Sequence, residues 1–219
     1  MKKTAVIFDI DGLLINSEPL WNKAAAEIFR QYGISLTEAQ YATTTGLRSK
    51  EFVAHWLHEY KIPSTEYERA EQRVIDQAML YIDKEATLMP GVEHIFQFFL
   101  AKEFKIGLAT SSPPALIEWV KDKLGIRGII HASCSAQNLP YAKPHPQVYL
   151  DCANALHISP LACICFEDSF YGMLAAKAAR MTCVVVPAAD ALKQEHWAAA
   201  DLKLSSLQNF GALHFDMLA

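Results

Sequence analysis

The chain has 219 residues, 52% hydrophobic and 20% charged, with 24 acidic against 20 basic side chains and a formal net charge of −4. A globular chain of this size buries roughly 70% of its unfolded surface, enough for one large domain or two modest ones, and the composition excludes disordered, collagenous and disulfide-scaffold classes. The acidic balance, with no basic run interleaved with aromatics, excludes nucleic acid as the expected partner.

Met1, Lys2 and Lys3 lead into an apolar run that stops at Asp9, too short and too soon acidic for a signal peptide. No apolar stretch approaches the ~20 residues of a membrane span. The five cysteines, Cys134, Cys152, Cys163, Cys165 and Cys183, are odd in number and form no CxxC pair, so a disulfide framework or zinc site is not expected. The expectation is a cytoplasmic chain with reduced thiols and no membrane partner. Nothing fixes its oligomeric state, and a monomer is compatible with it.

In chain order, "TAVIFDID" predicts a strand that delivers two carboxylates, Asp9 and Asp11. Helical faces follow: Trp21, Ala24, Ala25, Ile28 and Tyr32, then Val53, Trp56, Leu57 and Tyr60, then Ile75, Met79 and Ile82, with turns near Gly33, Gly46 and Pro63. Residues 16–87 therefore read as an inserted helical domain, leaving 1–15 and 88–219 for a second domain. Pro90 and Gly91 mark re-entry, and Val92, Ile95, Phe96 and Phe99 stripe the next helix. "FKIGLATSS", "IIHASCSA", "ACICFEDS" and "TCVVVPA" then read as strands, separated by "ALIEWVKDKLG", a helix opened by Pro146, and an alanine-rich helix from Gly172 to Met181. Runs apolar at every position suit strands covered on both faces, so the fold class is α/β, a doubly wound (Rossmann-like) parallel sheet with an inserted all-helical cap.

Ligands of open parallel sheets bind beyond the carboxyl ends of the strands, where strand order reverses. The polar strand ends are Asp9 with Asp11, Thr110 to Ser112, and Glu167 with Asp168, and Lys143 in "YAKPHP" precedes a helix. Four carboxylates in one cleft need either a bound cation or protons on some of them, because a like-charge pair at ~4 Å costs ~4 kcal/mol at an effective dielectric of 20, and one lysine cannot balance them. Oxygen-only donors suit Mg²⁺. A carboxylate beside Mg²⁺ and a lysine can attack phosphorus, and a second one two residues on can serve as general acid and base.

These motifs, DxDG after the first strand, Thr closing the second, Lys-Pro before a helix and ED closing the fourth, resemble the haloacid dehalogenase superfamily in its β-phosphoglucomutase-like branch with a helical cap. The resemblance covers essentially the whole chain. "DGLLINSEPLW", "LPYAKPHPQVYLDCA" and "KAARM" are similar to bacterial sugar phosphatases, which implies a small phosphorylated sugar or polyol as substrate. It implies Asp9 as nucleophile, Asp11 as general acid/base, Thr110 and the amides around Ser111 as phosphoryl contacts, and Lys143 as their support. It implies Mg²⁺ held by the Asp9 side chain, the Asp11 backbone carbonyl and Asp168, with Glu167 as ligand or neighbour. Leu13 and Asn16 depart from the Thr and Asp of many members, without removing a group the chemistry needs.

Other readings compete. Asp9 and Asp11 alone could make a turn, and Asp168 or Ser169 could cap a helix. His55 and His58, three apart, fit an exposed helix face, and Cys163 and Cys165 fit core packing. Trp21 divides between cap packing and substrate contact, and Arg48 in "GLRS" is a candidate substrate contact at a cap turn. A phosphoglucomutase-like isomerase shares all four motifs, but such relatives carry histidine where this chain has Trp21. A catalytically inactive binding module would not need the full set.

Overall fold

The computed structural model describes residues 2–218. Strand β1 (Ala5–Phe8) is followed by helices α1 (Glu18–Arg30), α2 (Glu38–Ala42), α3 (Ser49–Glu59) and α4 (Tyr67–Glu85). The chain then builds α5 (Val92–Leu100), β2 (Lys105–Thr110), α6 (Pro114–Lys123), β3 (Ala132–Ser135) and α7 (Gln147–Ala155). It closes with β4 (Cys163–Glu167), α8 (Phe170–Ala178), β5 (Thr182–Val185), β6 (Leu202–Lys203) and α9 (Ala212–Leu218).

The sheet is parallel throughout, in the order β3-β2-β1-β4-β5-β6. Unbroken apolar strands arise because alternate side chains enter two different cores. Val6, Phe8, Ile106, Leu108, Ile164 and Phe166 face the side covered by α5 and α6, whereas Ala5, Ile7, Ala109, Cys163, Cys165 and Cys183 face the side covered by α7 and α8. On the first side Phe8, Phe96, Phe99, Phe166 and Phe210 pack as an aromatic cluster, with Phe8 and Phe166 ring centres 5.2 Å apart. On the second, a Cβ at Gly107 would lie 2.7 Å from Cys152 Sγ, so glycine lets α7 sit close to β2. The sixth strand was not anticipated from sequence, since its two residues carry no apolar run.

Helices α1, α3 and α4 share a separate core containing Ala25, Phe29, Val53, Trp56, Leu57 and Val74. The chain leaves and re-enters the sheet unit along one antiparallel pair: Asn16 N donates to Thr87 O at 2.8 Å and Met89 N to Leu14 O at 3.0 Å. Among the described residues no helix is long and apolar enough to cross a membrane. Strand order reverses at β1, whose neighbours are β2 and β4, and the register aligns Phe8 with both Leu108 and Phe166. The residues just beyond these three strands are thereby brought to one place.

Candidate active site

Asp9 continues the β1 ladder, its N–H donating to Phe166 O at 3.0 Å, so its carboxylate emerges beside the end of β4. Lys143, buried on the loop before α7, donates to Asp9 Oδ1 at 2.6 Å, to Glu167 Oε1 at 2.7 Å and to Ala109 O at 3.2 Å. Tyr149, one turn into α7, donates to the same Glu167 oxygen. Oε2 of Glu167 accepts from Ser169 Oγ at 3.0 Å and from the Asp168 and Ser169 amides, both at 3.2 Å. Ser169 in turn caps α8 by accepting from Gly172 N at 3.1 Å. Glu167 is thus fully buried with both oxygens engaged.

Ligand oxygens of Asp9, Glu167 and Asp168 lie within 4.8 Å of one another. Burial drives Asp9 well above the ordinary carboxylate range, with Glu167 and Asp11 adding to the rise and Lys143 opposing it. Asp168 rises for the same first reason, then through Glu167 and Asp9. Burial pulls the Lys143 ammonium down, but Asp9 and Glu167 together outweigh it and leave it above its ordinary value. One ammonium facing three carboxylates leaves a deficit of positive charge. The donor set is oxygen only, and Asp168 accepts no hydrogen bond to its carboxylate from the described residues, so the cluster fits a hard divalent cation. Gly12, at φ +70°, makes this approach possible, since a Cβ there would lie 2.0 Å from Asp168 Oδ2.

Asp11 is held from two sides. Ser17 Oγ at 2.6 Å and Trp21 Nε1 at 2.8 Å donate to Oδ1, while Ser112 Oγ at 2.6 Å and Thr110 Oγ1 at 3.3 Å donate to Oδ2. Thr110 Oγ1 also accepts from Ser112 N at 3.0 Å, which fixes the loop after β2. Ser111 donates to Gly46 O at 3.3 Å, joining that loop to the cap.

Asp9, Asp11, Thr110, Ser111, Lys143, Asp168 and Trp21 all line one cavity between the sheet ends and the helical insert. Arg48 is not among its lining residues. Its guanidinium is buried, donating to Ala136 O at 2.8 Å, Gln137 O at 3.1 Å and Leu139 O at 2.6 Å, with Nε on Glu51 Oε2 at 2.7 Å. It clasps the cap to the loop after β3. Glu167 stays behind Lys143 and outside the lining.

The model of the haloacid dehalogenase-like hydrolases matches residues 3–180. The chain is 40% identical to hexitol phosphatase B of Escherichia coli (strain K12) over 209 residues, covering 95% of this chain and 94% of that one. It belongs to the haloacid dehalogenase-like hydrolase family. Among solved structures, CbbY from Rhodobacter sphaeroides in complex with phosphate superposes with a TM-score of 0.87 at 24% identity, covering 99% of both chains. A β-phosphoglucomutase from Clostridium difficile gives 0.86 at 24% identity, covering 98% of this chain and 96% of that one. These two likenesses establish the fold alone.

Several residues of this haloacid dehalogenase-like site escaped the sequence reading. Ser17 is one of the four donors on Asp11, yet an isolated serine in "NSEP" carries no mark of that role, and Ser112, read only as part of a polar strand end, is another. Tyr149 has no motif around it, and only the packing of α7 brings it to Glu167. Glu18, the first residue of α1, lines the cavity, and its carboxyl is pushed up from 4.5 to about 7 by burial first and by Asp11 second, against a weak bond from Thr45.

The folded protein therefore holds a proton on Glu18 that the unfolded chain releases between about pH 4.5 and 7, and stability falls as pH rises through that window. Glu18→Gln is neutral throughout. In chelator-treated protein it is expected to raise the Tm by several degrees at pH 8 and to leave it nearly unchanged at pH 5, as read by thermal melts at the two values.

Proposed function

We propose that the chain is a phosphomonoesterase of small sugar or polyol phosphates that uses Mg²⁺ and an aspartyl-phosphate intermediate, and that it works in the cytoplasm, where its five free thiols are at home. The observation that carries this reading is the pairing of two differently held carboxylates on one cavity. Asp9 has one oxygen on Lys143 and its other oxygen without a donor from the described residues, and Asp11 stands beside it under four donors. The named relative among the hexitol phosphatases supports the substrate class.

In this reading Asp9 Oδ2 attacks phosphorus, and the bond from phosphorus to the alcohol oxygen breaks. The departing oxygen keeps the electron pair and takes a proton from Asp11. Asp11 then accepts a proton from water as that water attacks the aspartyl phosphate, releasing inorganic phosphate and restoring Asp9. Lys143 and the amides of the Thr110–Ser112 loop stabilise the phosphoryl oxygens through both steps. Asp9, Asp168 and the Asp11 carbonyl would hold Mg²⁺, with Glu167 beside them, and the ion would neutralise phosphoryl charge. Trp21, which also lines the cavity, donates to Asp11 and keeps it oriented.

Asp9→Asn is expected to abolish turnover of a hexitol phosphate in a phosphate-release assay, and full activity would sink the nucleophile assignment. Chelation is expected to silence the enzyme and Mg²⁺ to restore it, whereas undiminished hydrolysis in chelator would refute the charge argument. Asp11→Asn is expected to slow alkyl esters by roughly 100-fold or more while sparing activated aryl esters, in line with general-acid contributions. An equal loss across leaving groups would count against its role as acid. Conversion of β-glucose 1-phosphate into an isomer without phosphate release would favour the mutase alternative.

A further inference from the structure

A second cavity opens at the far edge of the sheet. Lys3 lies just before β1, Leu161 just before β4 and Asp201 just before β6, while Thr182 opens β5, and all four line it. Because the strands are parallel, this groove lies at their amino ends, and Asp9 and Glu167 lie at the opposite, carboxyl ends. The stretch "KAARM", which takes no part in the chemistry of Asp9 and Asp11, supplies Lys177, Arg180 and Met181 to its wall.

The groove reverses the charge of the chain. Against a formal net charge of −4 overall, it gathers Lys3, Lys177 and Arg180 around a single acid, Asp201. That acid is already engaged, accepting from Lys177 Nζ at 2.6 Å and from Cys183 N at 2.7 Å. Lys3 is only 9% exposed, yet its ammonium makes one hydrogen bond, to Leu161 O at 2.9 Å, and no ion pair among the described residues. Burial pulls it below its ordinary value, and Asp201 opposes this only in part. Arg180, exposed at the rim, has no partner for its guanidinium among the described residues. Cations near a helix end suit its carbonyl terminus, which accounts for Lys177 in the last turn of α8 but not for Lys3, which lies outside that helix. A nearly buried ammonium is ordinarily paired, so Lys3, with two of its three hydrogens uncommitted, marks a missing anion.

We infer that this groove is a binding site for a small, doubly charged oxyanion of the phosphate or sulfate type, remote from the active site. Lys3 meets the ion from below and Arg180 from the rim, where its planar fork suits two oxygens at once. Three cations against one acid leave a double positive charge, which a dianion neutralises. Lys3 lies too deep for a flat polyanionic surface, so the occupant is a free small ion. The inference stands apart from the phosphomonoesterase reading, since it uses none of the residues placed in that chemistry.

Amide chemical shifts of the isotope-labelled full chain test it, in separate titrations with sodium phosphate and sodium sulfate at an ionic strength held constant with NaCl. Both anions are expected to move the Met181 and Thr182 amides saturably, independently of any response in the Thr110–Ser112 loop. Lys3→Met keeps the apolar stem and removes the charge, and Arg180→Gly suits the backbone there, at φ +63°. Each is expected to weaken the response at Met181 and Thr182 by roughly tenfold, as loss of one charge-assisted contact does. The response of the Thr110–Ser112 loop to phosphate is expected to stay as in wild type, so loss of the site reads differently from loss of the fold. No response at Met181 and Thr182, an equal response to NaCl alone, or full affinity retained in both variants overturns the inference. Should Lys3→Met fail to fold, the wild-type titrations and Arg180→Gly still decide.

Discussion

One buried ammonium set among three carboxylates governs this molecule. Lys143 reaches Asp9 and Glu167 at once, at 2.6 and 2.7 Å, and the parallel register of β1 with β4 forces those two acids into adjacency. Removing either carboxylate's partner would leave a charge stranded in a site that solvent cannot relax, which is far more costly than losing a surface ion pair. The remaining architecture serves this arrangement. Tyr149 and Ser169 fill the valences of Glu167, and Gly12 gives Asp168 room to approach. The site has a rigid anionic floor because every oxygen of Glu167 is occupied, which leaves Asp9 and Asp168 as the ones with capacity for something else.

The sheet and the helical insert divide the labour. Side chains from the strand ends supply reactive and charge-bearing groups, held by backbone that two cores immobilise from above and below. The insert contributes Glu18, Asn22, Tyr41 and Thr45, borne on α1, α2 and the turn that follows, and packs around its own smaller core. The cavity is thus lined by two separately packed units joined by one pair of antiparallel connecting segments.

The sheet was legible because a parallel strand covered on both faces has no choice but to be apolar at every position, so Val6 to Phe8 and Cys163 to Phe166 announced themselves. Asp9, Asp11 and Asp168 were legible because acids at the ends of such strands break that pattern, and Lys143 because it stands in a Lys-Pro step just before a helix. What could not be read was direction. Arg48 sits at a cap turn in sequence, and nothing local reveals that its guanidinium turns toward the carbonyls of Ala136, Gln137 and Leu139. Trp21 stood between packing and substrate, whereas its indole N–H goes to Asp11, a bond that depends on where α1 enters relative to β1. Strand β6 was invisible because edge pairing by two residues, Leu202 and Lys203, needs no hydrophobic run.

The two-sided grip on Asp11 has a mechanical corollary. Oδ1 answers to Ser17 and Trp21, at and beyond the start of the helical insert, while Oδ2 answers to Thr110 and Ser112 at the end of β2. α1 cannot draw away from β2 without surrendering one pair of these bonds, so the aspartate works as an interlock between the two halves. All four bonds hold together only while α1 stays against the end of β2.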